Sequence, residues 1–164
     1  MLESTPKSVS SDGTFRVWVL GDSDLTDPTA PSAAELTSAP SVTYSMTTDG
    51  YNRTSDQATE TDPRLTLRDV PESPGAVTNS LELTYVHGSD DDVLDPLIVE
   101  GELAYVVERR AVNNAEEVAA GQKVDIIAGV WGKPRKNAPT TNGKWTKTAK
   151  LFVSSVIEDV ELVA

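Results

Sequence analysis

Val77-Thr78-Asn79-Ser80-Leu81-Glu82-Leu83-Thr84-Tyr85-Val86 decides the fold class. Val77, Leu81, Leu83 and Tyr85 fall mostly on one face, and Thr78, Ser80, Glu82 and Thr84 on the other. That period of two is the mark of an antiparallel strand with one wet face. The same period recurs on both sides. Thr14–Leu20 places Phe15, Val17 and Val19 opposite Arg16, Trp18 and Leu20. Leu103–Val112 and the near-continuous apolar run Lys123–Gly132 read as further strands, the second of them central. Residues 42–46, Arg64–Val70, Lys144–Val153 and Val156–Val163 complete the strand set.

Helical signals are few. Ser32 followed by Glu35 predicts a capped turn over Ser32–Leu36. Ser89-Asp90-Asp91-Asp92 predicts the start of a short helix over 93–98, since these side chains cap and suit the positive end of the helix dipole. Ala115–Ala120 reads as a helical turn closed by Gly121. The expected architecture is mainly β, a β-sandwich or half-barrel with one or two short helices. No internal repeat of fixed period occurs.

One domain fits 164 residues. Residues 1–12, rich in Ser, read as a flexible N-terminal arm ahead of a single domain over 13–164. Two long polar loops are expected, 47–63 with its Asp49-Gly50 turn signal, and 133–144. Aromatics make up only 5% of the chain, so the core is lean and partners are expected to complete apolar burial.

The net charge of −12 argues against holding nucleic acid by phosphate neutralisation. It suits a surface that DNA slides past. The charge is uneven: residues 1–132 hold 8 basic and 23 acidic residues, a balance of −15, and residues 133–164 hold 6 and 3, a balance of +3. All six bases of the second part lie between Lys133 and Lys150. An acidic body with a basic flap can adhere to copies of itself, whereas the plainer reading is a solvated loop. There is no cysteine, which excludes disulfides. No secretory leader and no membrane-length apolar run is evident, so the expectation is a cytoplasm-like compartment, or a particle assembled there.

His87, the one histidine, precedes Gly88 at a strand end and reads as a turn residue rather than a base or ligand. Asp90, Asp91, Asp92 and Asp95 lack the spacing of a calcium loop. Glu100 and Glu102 are neighbours at a strand start and do not face each other across a cleft, as a glycosidase pair does. Neither a nucleophile elbow nor a phosphate-binding glycine loop is present. Trp18, Trp131 and Trp145 read as core or interface residues, with a sugar platform as the rival. No cofactor or metal is expected, and an enzyme is not.

Several ordered stretches resemble the major tail (tail tube) proteins of long-tailed, siphovirus-type bacteriophages infecting actinobacteria. They are Thr47-Thr48-Asp49-Gly50-Tyr51, Asp62-Pro63-Arg64-Leu65-Thr66-Leu67 and Leu81-Glu82-Leu83-Thr84-Tyr85-Val86. Ala119-Ala120-Gly121-Gln122-Lys123-Val124-Asp125 and Thr148-Ala149-Lys150-Leu151-Phe152-Val153 follow. The resemblance implies six copies closing into a ring, with inner sheets joined into one barrel and rings stacked into a tube. Four strands per copy, ~4.8 Å apart and tilted ~40°, give a ring ~48 Å across and ~35 Å inside its side chains. It further implies a virion protein assembled in host cytoplasm. Its partners are then itself, terminator and baseplate or tip proteins, and a lumen passed by tape measure protein and DNA. Lys133, Arg135 and Lys136, with Asp49, Tyr51 and Arg53, are the candidate assembly contacts. A monomeric glycan-binding sandwich, a carboxylate hydrolase and a terminator-type ring protein are the alternatives.

Overall fold

The computed structural model describes residues 4–164. Seven strands form one antiparallel sheet: β1 (Phe15–Gly21), β2 (Met46–Thr61), β3 (Glu72–Val86), β4 (Leu103–Arg110), β5 (Lys123–Trp131), β6 (Arg135–Lys136) and β7 (Thr146–Glu161). The order is β1-β4-β5-β7-β3-β2, with β6 also beside β7. The one α-helix among the described residues, α1 (Ala33–Ser38), is capped as the sequence predicts: the Glu35 amide donates to the Ser32 hydroxyl, and the Ser32 amide to the Glu35 carboxylate.

The sheet curls so that β2 and β3 lie across β1, β4 and β5. Alternation sorts the side chains of the inner strands to two sides. The concave side holds Val17 and Val19, Ala104 and Val106, Ile127 and Trp131, Ala149 and Leu151, and Leu81, Leu83 and Tyr85. The convex side of β1, β4 and β5 holds Trp18, Leu20, Val107, Val124 and Ile126, covered by Leu36 of α1 together with Leu25 and Leu162. β5 is buried on both sides over most of its length, which explains its continuous apolar run.

Several sequence expectations are corrected. Residues 42–46 are not a strand: Thr43–Ser45 is a 3₁₀ turn, docked on the edge of β1 by the Val42 amide donating to the Val17 carbonyl. The expected 47–63 loop is almost entirely strand, because β2 runs to Thr61 and pairs with β3 down to Glu72. Arg64–Val70, expected as a strand, is the turn joining them. The segment after Ser89 yields only a 3₁₀ turn, Asp95–Leu97, since Pro96 cannot donate to a longer ladder. Ala115–Ala120 forms turns and no helix. The two final strands are one, β7, which crosses Ser154-Ser155 without a break. The 133–144 loop is interrupted by β6.

Residues 4–10 carry no regular structure and are exposed; the rest of the expected arm at 1–3 lies outside the described residues.

Two of the four register shifts in the described sheet place a glycine against a neighbouring carbonyl. In β2 the register jumps from Met46↔Tyr85 to Tyr51↔Leu83. Gly50 sits in this bulge, where a Cβ would strike the Thr84 carbonyl oxygen. In β5 a second bulge at Ala128/Gly129 brings Gly129 against the Phe152 carbonyl.

Candidate assembly site

β3 bonds to β7 only from Leu81 to Val86. Before Leu81, the described structure bonds it to β2 alone, and β2 ends the sheet. Residues Thr54–Thr61 and most of Glu72–Thr78 are exposed on both faces. They form a two-stranded arm of roughly 26 Å, from eight residues at ~3.3 Å each. At its tip the Asp62 amide donates to Pro71, and Leu65, Leu67 and Val70 are exposed at 95%, 45% and 44%. Both long edges of this arm carry free backbone donors and acceptors, the feature that templates pairing with another chain.

A charge cluster anchors the root of the arm. From β2, the Arg53 guanidinium donates to Glu108 of β4 at 2.5 Å, to Asp125 of β5 at 3.1 Å and to Glu158 of β7. Tyr51 donates to the same Glu108 and sets its ring edge-on to Phe15, centroids 5.0 Å apart. Arg110 completes the shell around Glu108 at 2.5 Å. Glu108 has no exposed surface, so its charge stands only because these donors replace water. Burial, and then the Glu108 charge and hydrogen bond, push the Tyr51 hydroxyl far above its usual range. Burial alone would lower Arg53, but Glu108 and Asp125 outweigh it and hold the guanidinium more firmly protonated.

On the opposite face Arg109 is buried, and among the described residues no carboxylate is in ion-pair contact with it. It donates to Gln122 at 2.9 Å and to the Asn113 and Glu116 carbonyls, and lies 5.8 Å from the Trp18 ring. Burial and the nearby Arg16 lower its pKa.

The six residues singled out in the sequence divide by exposure. Lys133, Arg135, Lys136 and Asp49 are exposed; Arg135 reaches Glu82 only at 3.8 Å. Tyr51 and Arg53 turn inward and are engaged by their own chain. The three basic residues flank β7, far along the chain from the arm but beside the strand from which it diverges. Glu108 and Arg109, missed in the sequence, were signalled by a charged run set inside an apolar strand, Val106-Val107-Glu108-Arg109-Arg110.

Two of the candidate cation ligands, Asp92 and Asp95, are engaged in hydrogen bonds within the chain. Asp92 accepts from the Gly88 amide at 2.7 Å. Asp95 accepts from Lys147 at 2.7 Å and from Tyr85 at 3.1 Å. Burial alone would raise the Asp95 carboxyl, but these donors outweigh it and the net shift is downward. Trp18 and Trp131 are buried, and only Trp145 is exposed, so the three do not form a platform. Among the described residues no group of three or more acidic or histidine side chains is placed to hold a metal ion, and no helix is long and apolar enough to cross a membrane.

A curled antiparallel sheet with a projecting arm and unpaired edges defines a mainly β protein. The chain belongs to the phage tail tube family: the family model described as "Phage tail tube protein" matches residues 2–164. A search among curated proteins finds no match. The protein is therefore a structural component of a phage tail, built to assemble with its own kind into a tube.

Proposed function

We propose that the chain is the repeating subunit of the tail tube of a long-tailed, siphovirus-type phage of actinobacteria. Six copies close into a ring with their inner sheets joined, and rings stack into a conduit for DNA ejection. The observation that carries this reading is the family match over residues 2–164. Unpaired edges on the arm and on β7 supply the physical means, since closure into a shared barrel removes edges from water.

A ring of six would carry about −72, six times the chain's −12, and like charge keeps DNA from adhering to the wall. Lys133, Arg135, Lys136 and Asp49 are offered as contacts between copies, with Tyr51 and Arg53 acting by holding the arm in place. The N-terminal residues 1–12 are offered as a further contact. Terminator and baseplate or tip proteins are the expected partners at the two ends. The tape measure protein occupies the lumen before DNA, and assembly takes place in host cytoplasm.

Negative-stain microscopy of the purified protein over a range of concentration and salt tests the proposal. Six-fold rings or tubes with an open lumen are expected. A uniform monomer under every condition would refute it.

A further inference from the structure

The tip between β6 and β7 is exposed without interruption from Ala138 to Trp145. At its apex stands Asn142-Gly143, a side-chain amide next to the one residue type with no Cβ to screen its backbone nitrogen. Asn142 holds a left-handed φ of 56°. Its exposed side chain has no hydrogen-bond partner among the described residues.

The other five asparagines are better protected. Each is followed by a residue with a side chain: Arg53, Ser80, Asn114, Ala115 and Ala138. Asn52 and Asn79 lie in paired strands. Asn113 accepts from the Ala115 amide at 2.9 Å, and Asn114 donates to the Tyr44 hydroxyl at 3.2 Å. Asn137 donates to the Thr146 and Thr148 hydroxyls, each at 3.0 Å. Asparagine is a thermolabile residue, and in this chain the lability is concentrated at one position.

The surroundings of that position favour an anion. Residues 133–150 hold six basic side chains and no acidic one, and Lys144 follows Gly143 directly. Positive charge near an ionising group stabilises its negative form. Here that form is the Gly143 backbone nitrogen after loss of its proton.

We propose that Asn142-Gly143 is a self-modification site, at which the side-chain amide deamidates with water as co-reactant and the 140–143 turn as the brake. Base removes the Gly143 N–H proton. The nitrogen bonds to Asn142 Cγ, the Cγ–Nδ2 bond breaks, and Nδ2 takes up a proton and leaves as ammonia. Water then opens the resulting succinimide ring. Cleavage of the Cγ–N bond gives aspartate. Cleavage at the main-chain carbonyl carbon gives isoaspartate, whose chain runs on through Cγ. Water is consumed, ammonia is released and a new carboxylate remains.

The brake is the Gly143 N–H, which donates to the Thr140 carbonyl at 3.0 Å. The nitrogen attacks only when that bond opens. An exposed tip with no buried side chain opens locally, without unfolding the sheet. The product changes the tip in two ways. The 133–150 stretch falls from +6 to +5, since six bases then face one acid. Isoaspartate also adds a main-chain carbon to a turn so tight that a Cβ on Gly143 would strike the Thr140 hydroxyl. The inference concerns the single chain and does not depend on the tube reading.

The test is to incubate the purified protein at mildly alkaline pH and follow intact mass, then map peptides with detection of isoaspartate. The mass gain of an amide-to-acid change should appear at Asn142 about tenfold faster than at Asn137, whose side chain must first leave its threonine partners. In guanidinium chloride the Asn142 rate should rise roughly two- to tenfold, the factor set by one backbone hydrogen bond. Asn142→Gly, which suits the same φ, should lose the early mass gain. A rate at Asn142 no higher than at Asn137, or an early gain that persists in Asn142→Gly, overturns the site. An Asn142 rate unchanged by unfolding overturns the turn as its brake.

Discussion

Replacing Arg53 by Met tests the anchor at the root of the arm. Methionine keeps much of the stem and removes the charge. Glu108, with no exposed surface, loses one of three donors. Arg110 and Tyr51 remain, so the ~3–5 kcal/mol cost of a fully orphaned buried charge is not reached. One charge-assisted bond at this site is worth about 2 kcal/mol. Asp125, with a side chain only 16% exposed, adds about 1 kcal/mol. Glu158, 62% exposed, adds less than ~0.5 kcal/mol after solvent screening. The total is about 3 kcal/mol, which at a slope near 2 kcal/mol per molar moves the urea midpoint down by about 1.5 M. Urea unfolding at a concentration where sedimentation shows monomer is the assay. Glu158→Gln serves as the control and should shift the midpoint by no more than ~0.3 M. Combining Arg53→Met with Glu108→Gln should cost less than the two changes summed, by about 1–3 kcal/mol. A midpoint for Arg53→Met within ~0.3 M of wild type, or equal to that of Glu158→Gln, would show that the cluster does not brace the arm.

Gly50→Ala drives a Cβ into the Thr84 carbonyl and should lower stability by about 2 kcal/mol or more through strain in the bulge; equal urea midpoints for variant and wild type would refute this. Backbone amides of Ser32 and Thr26 hold the Glu35 carboxyl at about 2, against an ordinary 4.5. A lowered folded-state pKa stabilises above the unfolded value and is lost as pH falls through the folded one. The stability advantage of wild type over Glu35→Gln should therefore be full above 4.5 and fade as pH drops toward 2, read from urea midpoints across that window. Charge reversal of Lys133, Arg135 and Lys136 to Glu should weaken or abolish polymers with the monomer fold retained by circular dichroism; unchanged tubes would mark these residues as merely solvated.

Legibility in the sequence followed burial. β4 and β5 declared themselves because their alternate or consecutive residues meet apolar neighbours, and Ser32 with Glu35 declared the cap because that hydrogen-bond pair is local. β2 did not, because Thr54–Thr61 has water on both faces, so nothing selects apolar residues at every second position. Its strand state comes from pairing with β3, a relation between distant residues that composition does not record. Leu65 and Leu67 misled for a related reason: alternating apolar residues signal a buried face only when something covers them, and the arm carries them into solvent. The two-strand reading of β7 failed at Ser154-Ser155, polar residues that lie within the run paired with β5, where Ser155 stands opposite Ala128; the change of partner from β3 to β5 falls earlier, at Leu151. The candidate site was legible as a basic stretch and a polar stretch, but not as an anchor, since Glu108, Asp125 and Glu158 meet Arg53 only through the curl of the sheet.

β7 joins the two halves of the sheet, and it is made after every other strand. Until Thr146–Glu161 has left the ribosome, β5 has only β4 beside it and β3 only β2. At 5–20 residues per second, the interval between finishing β5 and finishing β7 lasts roughly 2–6 s. A chain in that interval lacks Ala149 and Leu151 of the concave core, so the body of the sheet closes only once β7 is complete.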